Sequence, residues 1–563
     1  MRRDHRLRLS ALSALLVLLA AACGGPVEPE GAGGGEDAAE EETAAGGGDE
    51  PASEEEGAAT PDEEAAAGGG GDIIVGTTDT VNSIDPAKVY DYYSSNILFN
   101  VGETLVGFEP GETEVSPKLA AELPEVSEDG LTYTFALREG VTFHDGSELD
   151  SEDVAFSLQR SVDINHPEGA AFLIAGIESI ETPDPLTVEI TLAEPNITFL
   201  SRLAYSVGTI LPSDGDYTAP DALQEEGADF DEFINEDSLV GTGPYTFGEY
   251  REGESIILEA NPDYWGDAPA NERVLIQFFE EGSQLRLALE NGEIDIAYRD
   301  LSPDDREDLE GTEGIQVIEG QGASIRYVVL DTDAAPFDRP EVRQAFAAAV
   351  ERERIITDVL ADAGEPLYSM IPTGFAEYQP FFEEYEEQDP LELVGGEPVD
   401  VTLTYVIDRY GDTEPSIAQV IERSLEESGA FNVELQQLEY AQFSDQAFTP
   451  ENPYPAYLLA WYPDYFDADD YIEPFYATES FTGNYANPEM DELIVAEQQV
   501  DDPASEERVA IFEDIQRLAA DDVPHVPLFE VVPYAFAREG ISGVEETMDA
   551  VQIFRYGLIS KEG

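Results

Sequence analysis

Positive charge is scarce in this chain: 26 Lys and Arg stand against 123 Asp and Glu in 563 residues, for a formal net charge of −97 at pH 7. A field of that sign repels phosphate backbones and anionic headgroups, which argues against a nucleic-acid partner and against electrostatic adhesion to lipid. Cysteine is scarcer still. Cys23 is the only one, so the chain has no internal disulfide, no thiolate chemistry in a folded site and no Cys-rich metal centre. Histidine occurs four times, and neither G-x-S-x-G nor H-E-x-x-H is present. The apolar run Leu9 to Ala22 is too short and too rich in small residues for a durable membrane span.

What is present still permits a folded core: 42% hydrophobic and 10% aromatic residues, in a chain long enough for two to four domains. The N-terminus opens with a basic stretch, Met1 to Arg8, and its apolar run ends at Ala20-Ala21-Ala22-Cys23. This resembles a bacterial lipobox, in which the cysteine thiol is diacylated after cleavage. The usual Leu three places before the cysteine is Ala20 here, with Leu19 one place further back. Plain secretion with a chance cysteine is the alternative. Two or three acyl chains suffice for stable anchoring. Residues 24–72 are mostly Gly, Ala, Glu and Pro with almost no large apolar side chain, and they read as a disordered, self-repelling tether.

The folded part is expected to start near Ile73. IIVGT is a short strand, and SIDPAKVYDYYSSNILFNVGETLVGF leads into a first helix. Tyr90, Tyr92 and Tyr93 fall in the connecting loop, as ligand contacts or as staples onto a neighbouring domain. Leu131, Tyr133, Phe135 and Leu137 alternate as a half-buried strand. Val141 to Phe143 reads as a second strand, turning at His144-Asp145-Gly146. Ser151 is placed to cap the next helix, with Glu152 and Asp153 in its first turn. Glu178 to Leu192 reads as a hairpin, and Pro195 to Leu211 as a helix running into an extended segment. GTGPY at Gly241 to Tyr245 lacks the G-K-[ST] ending of a phosphate loop, so its glycines are assigned to a tight strand entry. Further on, GEIDIAYRD reads as a buried strand end and Ile325 to Leu330 as a strand. The next helix has Asp338 as its cap and Val342, Ala345, Phe346, Ala349 and Val350 on one face. Val401 to Tyr405, a helix from Ser416 to Ser428 and Val433 to Leu438 then form a parallel βαβ unit. That unit puts Arg409 and Tyr410 at the carboxyl ends of its strands, where ligands sit.

The most informative stretch runs from Pro455 to Met490. A buried strand, Tyr457 to Trp461, delivers Trp461 and Asp464 three residues apart into a loop. Tyr462, Tyr465, Phe466, Asp467, Asp469, Asp470 and Tyr471 crowd the same loop. An aromatic wall beside a carboxylate suits a small, cationic, partly apolar ligand. A solvated acidic loop is the alternative reading of the same residues.

Several of these motifs, in this order, resemble the extracellular solute-binding proteins of ABC importers, in the peptide-binding family. They are S-x-D-P at Ser83, the segment from Leu119 to Ser161, G-x-G-P-Y with N-P-x-Y-W, P-F-x-x-x-x-V-R-x-A, and W-x-x-D at Trp461. The resemblance runs from about Ile73 to the C-terminus. It implies an α/β, two-lobed, Venus-flytrap fold with an extra inserted domain. The expected division is 73–98, 236–324 and 531–563 for lobe I, 99–235 for the insert, and 325–530 for lobe II. It implies a binding protein with no catalytic residues, metal or cofactor, which captures peptides outside the cell. Its partners would be an ABC permease and ATPase, and Cys23 would tie it to the outer face of the membrane.

Within that family the W-x-x-D carboxylate meets a peptide's α-ammonium group. By resemblance Asp464 takes that role, and Trp461 is the wall with Tyr462 beside it. Tyr92, Tyr327, and Tyr298, Arg299 and Asp300 after G-E-I-D, are expected in the cavity lining. Some relatives carry an Arg three places before the Trp where Leu458 stands here, so Arg299, Arg326 and Arg409 are the candidates for a ligand carboxylate. Arg299 could equally be a salt-bridge partner. Nickel chelates, sugars and other small solutes stand behind peptides as ligands. A secreted hydrolase built on Asp464 with Asp467 or Asp469, and a calcium module built on Asp464, Asp467, Asp469, Asp470 and Glu473, are the readings from other classes.

A net charge of −97 makes the folded state self-repelling wherever acids lie within a Debye length, about 10 Å at 0.1 M salt and 3 Å at 1 M. Thermal unfolding is therefore expected to move to higher temperature as salt rises from 0.1 M to 1 M. A midpoint that does not move would remove self-repulsion as a controlling term.

Overall fold

The computed structural model describes residues 71–563, apart from 216–238 and the single positions 300, 412, 450, 451, 479, 481 and 563. The signal sequence, Cys23, nearly all of the 24–72 tether and Asp300 lie outside the described residues.

Short apolar runs bounded by turn residues build two large sheets. The first has seven strands, in the order Ile315–Glu319, Tyr534–Arg538, Ile296–Tyr298, Ile73–Thr77, Arg273–Phe278, Ser255–Ala260 and Tyr245–Arg251. Ile73–Thr77 lies parallel to both its neighbours, and the other pairs are antiparallel. Ile73, Val75, Val274, Ile276 and Ile296 are wholly buried within one apolar cluster of this sheet. The second has six strands, in the order Gly364–Pro366, His525–Val531, Ile325–Leu330, Ala456–Trp461, Val399–Val406 and Phe431–Leu438. Val399–Val406, the helix Glu414–Glu427 and Phe431–Leu438 form the parallel βαβ unit. Ala456–Trp461 lies inside the sheet with all six residues buried, as suits a strand covered on both faces. The two sheets are the cores of two lobes.

A separate four-stranded sheet, with its own core around Phe135, Leu158 and Ile190, comes from 125–192. Tyr465, from the loop after Trp461, is buried in that core rather than in the core of its own lobe.

The motifs singled out in the sequence are joints of this framework. Asp85 of the S-x-D-P segment accepts from Ala87 N at 2.9 Å and holds Arg160 in a two-pronged pair at 2.7 and 2.6 Å, both side chains buried. His144 and GTGPY meet each other. His144 Nε2 lies 3.1 Å from the Gly243 carbonyl, and Gly241 N donates to His144 Nδ1 at 3.3 Å, so the histidine is a structural link. A Cβ at Gly241 would stand 2.1 Å from the Val101 carbonyl oxygen, so only glycine admits this approach. The N-P-x-Y-W segment clasps Glu103, which accepts from Tyr264 at 2.9 Å, Trp265 at 2.7 Å and Thr242 at 2.8 Å. Burial pushes the Glu103 carboxyl up to about 6 despite those donors.

Four local expectations are corrected. Asp150, not Ser151, caps the helix Ser151–Ile164, through a reciprocal box with Asp153. Ser151 donates to the Asp184 carbonyl instead. The helix Pro340–Ala349 follows Arg339, because Pro340 supplies the first-turn geometry and Asp338 falls outside it. Val141–Phe143 makes only an isolated bridge, Thr142 to Glu148, with Phe143 N donating to the Ser147 carbonyl and Leu149 N to the Val141 carbonyl around the turn. The segment from Pro195 holds a five-residue helix, Phe199–Leu203, and a short 3₁₀ turn.

Asp85→Ala would remove the buried carboxylate that grips the Arg160 guanidinium from two sides, and breaking such a pair costs roughly 3–5 kcal/mol. Urea unfolding is expected to show that loss, and a variant within 1 kcal/mol of the parent would show the pair to be incidental.

Candidate ligand-binding site

The strand Ala456–Trp461 ends where Pro463 removes a backbone donor, and the chain turns into a loop folded by its own carboxylates. Asp470 Oδ2 accepts from Trp461 Nε1 at 2.9 Å and from Asp464 N at 3.1 Å. Asp467 caps the 3₁₀ turn Ala468–Tyr471, accepting from Asp469 N at 2.9 Å, and is gripped by Arg508 at 2.7 and 3.0 Å. Arg508 also pairs with Glu497 at 2.8 Å. Asp469 accepts from Tyr465 at 3.0 Å and pairs with Arg202 at 2.7 Å, and Arg202 also pairs with Glu473. Asp469 and Asp470 are fully buried. The acidic burst is therefore a set of placed acceptors and not a solvated loop.

Asp464 differs from the rest. It is half-buried in the wall of a cavity of about 860 Å³ and accepts from Tyr90 Oη at 2.9 Å. Among the described residues it has no ion pair. Burial pushes its carboxyl up to about 7, against the opposing pull of the Tyr90 hydrogen bond and the Arg202 charge. Tyr90 comes from the N-terminal segment, so this hydrogen bond joins parts of the chain 374 residues apart.

The cavity collects most of the expected residues. Trp461, Tyr462, Asp464, Tyr92, Arg299, Tyr327 and Arg409 all line it. Phe172, Tyr205, Tyr410, Tyr440 and Gln552 complete much of its wall. Its volume lies within the roughly 300–1,000 Å³ of small-molecule sites. Trp461 is edge-on to Phe475 at 5.1 Å and mostly buried, so the indole is a fixed wall. Tyr327 is wholly buried, edge-on to Phe475 and His525, and closes the floor.

Two expected residues stand behind the wall. Tyr298 stacks on Phe554 at 4.1 Å and shares a short hydrogen bond with Tyr92. Arg326 is buried against Glu414 at 3.1 Å and under the Tyr410 ring at 5.1 Å. Neither is among the lining residues, because alternate side chains of a strand point to opposite faces. Arg299 does line the cavity, held between the rings of Tyr92 at 4.2 Å and Tyr462 at 5.1 Å and 3.4 Å from Asp79. Its backbone is left-handed, φ 68°, an uncommon conformation for a side-chain-bearing residue. Arg409 sits exposed at the mouth, 4.6 Å over the Tyr440 ring, and among the described residues has no ion pair.

Sequence reading gave no role to Arg202, left Tyr90 open as a ligand contact or a staple, and took Asp470 only as one acid of the burst. None of the three carries a local signal of its place beside Asp464. Only the tertiary fold brings them to Asp464.

The raised Asp464 carboxyl has a stability consequence. Its ordinary value of 3.8 applies to the unfolded chain, so between about pH 4 and 7 the folded state keeps a proton the unfolded state releases. The stability tied to that proton is fully present below pH 4 and is lost as pH rises through 7. Asp464→Asn removes the titration, so the ligand-free variant is expected to be more stable than the parent at pH 8 and to converge with it near pH 4. A variant less stable than the parent at pH 8 would contradict the unpaired carboxylate.

Residues 114–483 match the profile of the bacterial extracellular solute-binding proteins, family 5 Middle. The chain is 26% identical over 503 residues to the probable D,D-dipeptide-binding periplasmic protein DdpA of Escherichia coli, across 87% of this chain and 94% of that protein. It is 28% identical to a dipeptide-binding protein of Pseudomonas aeruginosa, across 82% of this chain and 89% of that one. Among solved structures, the ABC transporter-associated periplasmic binding protein DppA of Helicobacter pylori, in complex with the peptide STSA, gives a TM-score of 0.73 at 26% identity. That likeness covers 88% of this chain and 99% of the other. The two-lobed α/β architecture is thus of the periplasmic-binding type, and with the profile spanning well over half its length the chain belongs to the bacterial extracellular solute-binding proteins of family 5.

Proposed function

We propose that this protein is the extracytoplasmic substrate-binding lipoprotein of an ABC importer, capturing di- and oligopeptides and passing them to a membrane permease and its ATPase. The observation that carries the reading is Asp464: a half-buried carboxylate beside a fixed indole, aimed into an aromatic cavity and lacking an ion pair among the described residues. A carboxylate so placed is costly until a cation meets it, and a peptide's ammonium group supplies one. Relatives whose printed names include dipeptides, and a structural neighbour holding a tetrapeptide, support the same class. Cys23 is the proposed lipid attachment, with 24–72 as the tether.

Arg409 takes the ligand's carboxylate in this reading. Arg326 already faces Glu414 and Arg299 already faces Asp79, whereas Arg409 stands at the mouth with its guanidinium on an aromatic face. Arg299 and Tyr462 shape the wall between the two ends. The seven-stranded sheet is lobe I, residues 99–235 are the insert, and 325–530 are lobe II, closing on the ligand from the other side.

Calorimetry with Ser-Thr-Ser-Ala tests this. Binding is expected at pH 7.5, to weaken tenfold or more when the peptide is N-acetylated or when Asp464 is replaced by Ala, and to weaken as pH falls below about 7 and Asp464 takes up its proton. Equal affinity for the acetylated peptide would overturn the ammonium assignment, and no binding of any peptide in a di- to pentapeptide library would overturn the substrate class.

A further inference from the structure

Two carboxyl groups stand together in the cavity lining, and they are not equivalent. Asp464 is half-buried, while Asp470 is fully buried. Asp470 Oδ2 already accepts two N–H groups, from Trp461 Nε1 and Asp464 N. Its Oδ1 has no hydrogen-bond partner among the described residues. The charged and titratable groups around it are Asp464 and Asp469 on its own loop, Tyr465 and Tyr471 beside them, and Tyr90 from the N-terminal segment. The nearby guanidinium, Arg202, is engaged by Asp469 and Glu473. An ionised Asp470 would thus be a buried anion with one oxygen unsatisfied, beside a second carboxylate. A neutral acid leaves a single unsatisfied hydroxyl, which is much the cheaper state. Two such groups side by side hold one proton between them.

We propose that Asp470 is a positioning residue held as the neutral acid, fixing the Trp461 indole and the Asp464 peptide through Oδ2 and leaving Asp464 as the only negative charge of the subsite. The subsite then takes a monovalent ammonium group and rejects a divalent cation. This rests on the ammonium role of Asp464 proposed above. Burial first, and the Asp464 charge second, push the Asp470 carboxyl well above the usual range, in agreement with the geometry.

Asp470→Asn keeps an acceptor oxygen for both N–H groups and is uncharged like the acid. Its affinity for Ser-Thr-Ser-Ala is expected to stay within threefold of the parent's from pH 5.5 to 8.5 with the same pH midpoint, whereas Asp470→Ala loses tenfold or more. The infrared difference spectrum of ligand-free parent minus Asp470→Asn at pH 7.5 should contain a protonated-carboxyl C=O band that shifts in D₂O, and millimolar CaCl₂ should leave the parent's melting unchanged at constant ionic strength. A tenfold weaker Asn variant with a lowered pH midpoint, an absent acid band, or an Asn variant that fails to fold would each overturn the proposal. A parent that binds no peptide would sink the ammonium reading instead, while the band in the ligand-free protein would still decide the state of Asp470.

Discussion

Buried carboxylates need counter-charges or donors, and in a chain with so few cations the placing of each arginine shapes the structure. Arg160, Arg202, Arg326 and Arg508 are all buried in pairs with acids, out of only 26 Lys and Arg in the chain. Arg160 ties the N-terminal segment to a helix over the four-stranded sheet, Arg326 stiffens the back of the cavity wall, and Arg508 and Arg202 hold the loop after Trp461. Breaking any of these pairs would leave an uncompensated buried charge, which is strongly destabilising. The same allocation leaves Asp464 without a protein cation among the described residues. What distinguishes the site is that the arginines hold Asp467, Asp469 and Glu473 of the loop and leave Asp464 and Asp470 without an ion pair among the described residues.

That loop performs two tasks within ten residues. Asp464 faces the cavity, while Tyr465, Asp469 and Glu473 bind the domain carrying Arg202 and the four-stranded sheet. Tyr90 reaches Asp464 from a third direction. A ligand that neutralises Asp464 therefore acts on a segment already fastened to both neighbouring parts of the molecule. Closure can respond to a ligand only through contacts that differ between open and closed states. The Tyr90 and Arg202 contacts each join segments more than 260 residues apart, so they tie this loop to distant parts of the chain.

Much of this was legible in the sequence, and the limits have physical causes. The parallel βαβ unit, the buried strand into Trp461 and the placement of Trp461, Tyr462, Asp464 and Arg409 on one cavity follow from short-range pattern and from the resemblance. The acidic burst was ambiguous, because a solvated acid and a buried acceptor are the same letter and only burial separates them. Strand parity explains Arg326: beside Tyr327 on a six-residue buried strand, one of the two must face away, and composition does not say which. Helix caps were misplaced by one residue where a better acceptor or a proline stood next door, as at Asp150 and Pro340. His144, GTGPY and N-P-x-Y-W are recognisable because the framework needs them for close approach and for clasping Glu103, so motifs that identify the fold say little about the ligand.

A cavity-facing acid with no ion pair among the described residues is a cost to the folded protein whenever that acid is ionised. Raising the Asp464 carboxyl to about 7 means that ionising it disfavours the fold, and in the proposed reading an arriving ammonium group would restore the ionised form and gain from the low dielectric around it. Pairing Asp464 with a resident arginine would make the free protein more stable and the site useless for a cation, a trade of stability against function of the usual kind. The fixed indole, the Tyr90 hydroxyl and the Asp470 acceptor hold the carboxylate in place, so little ordering remains to be done on binding. In the proposed reading, affinity would come from the acid being kept without an ion pair in a rigid setting rather than from the number of contacts the ligand makes.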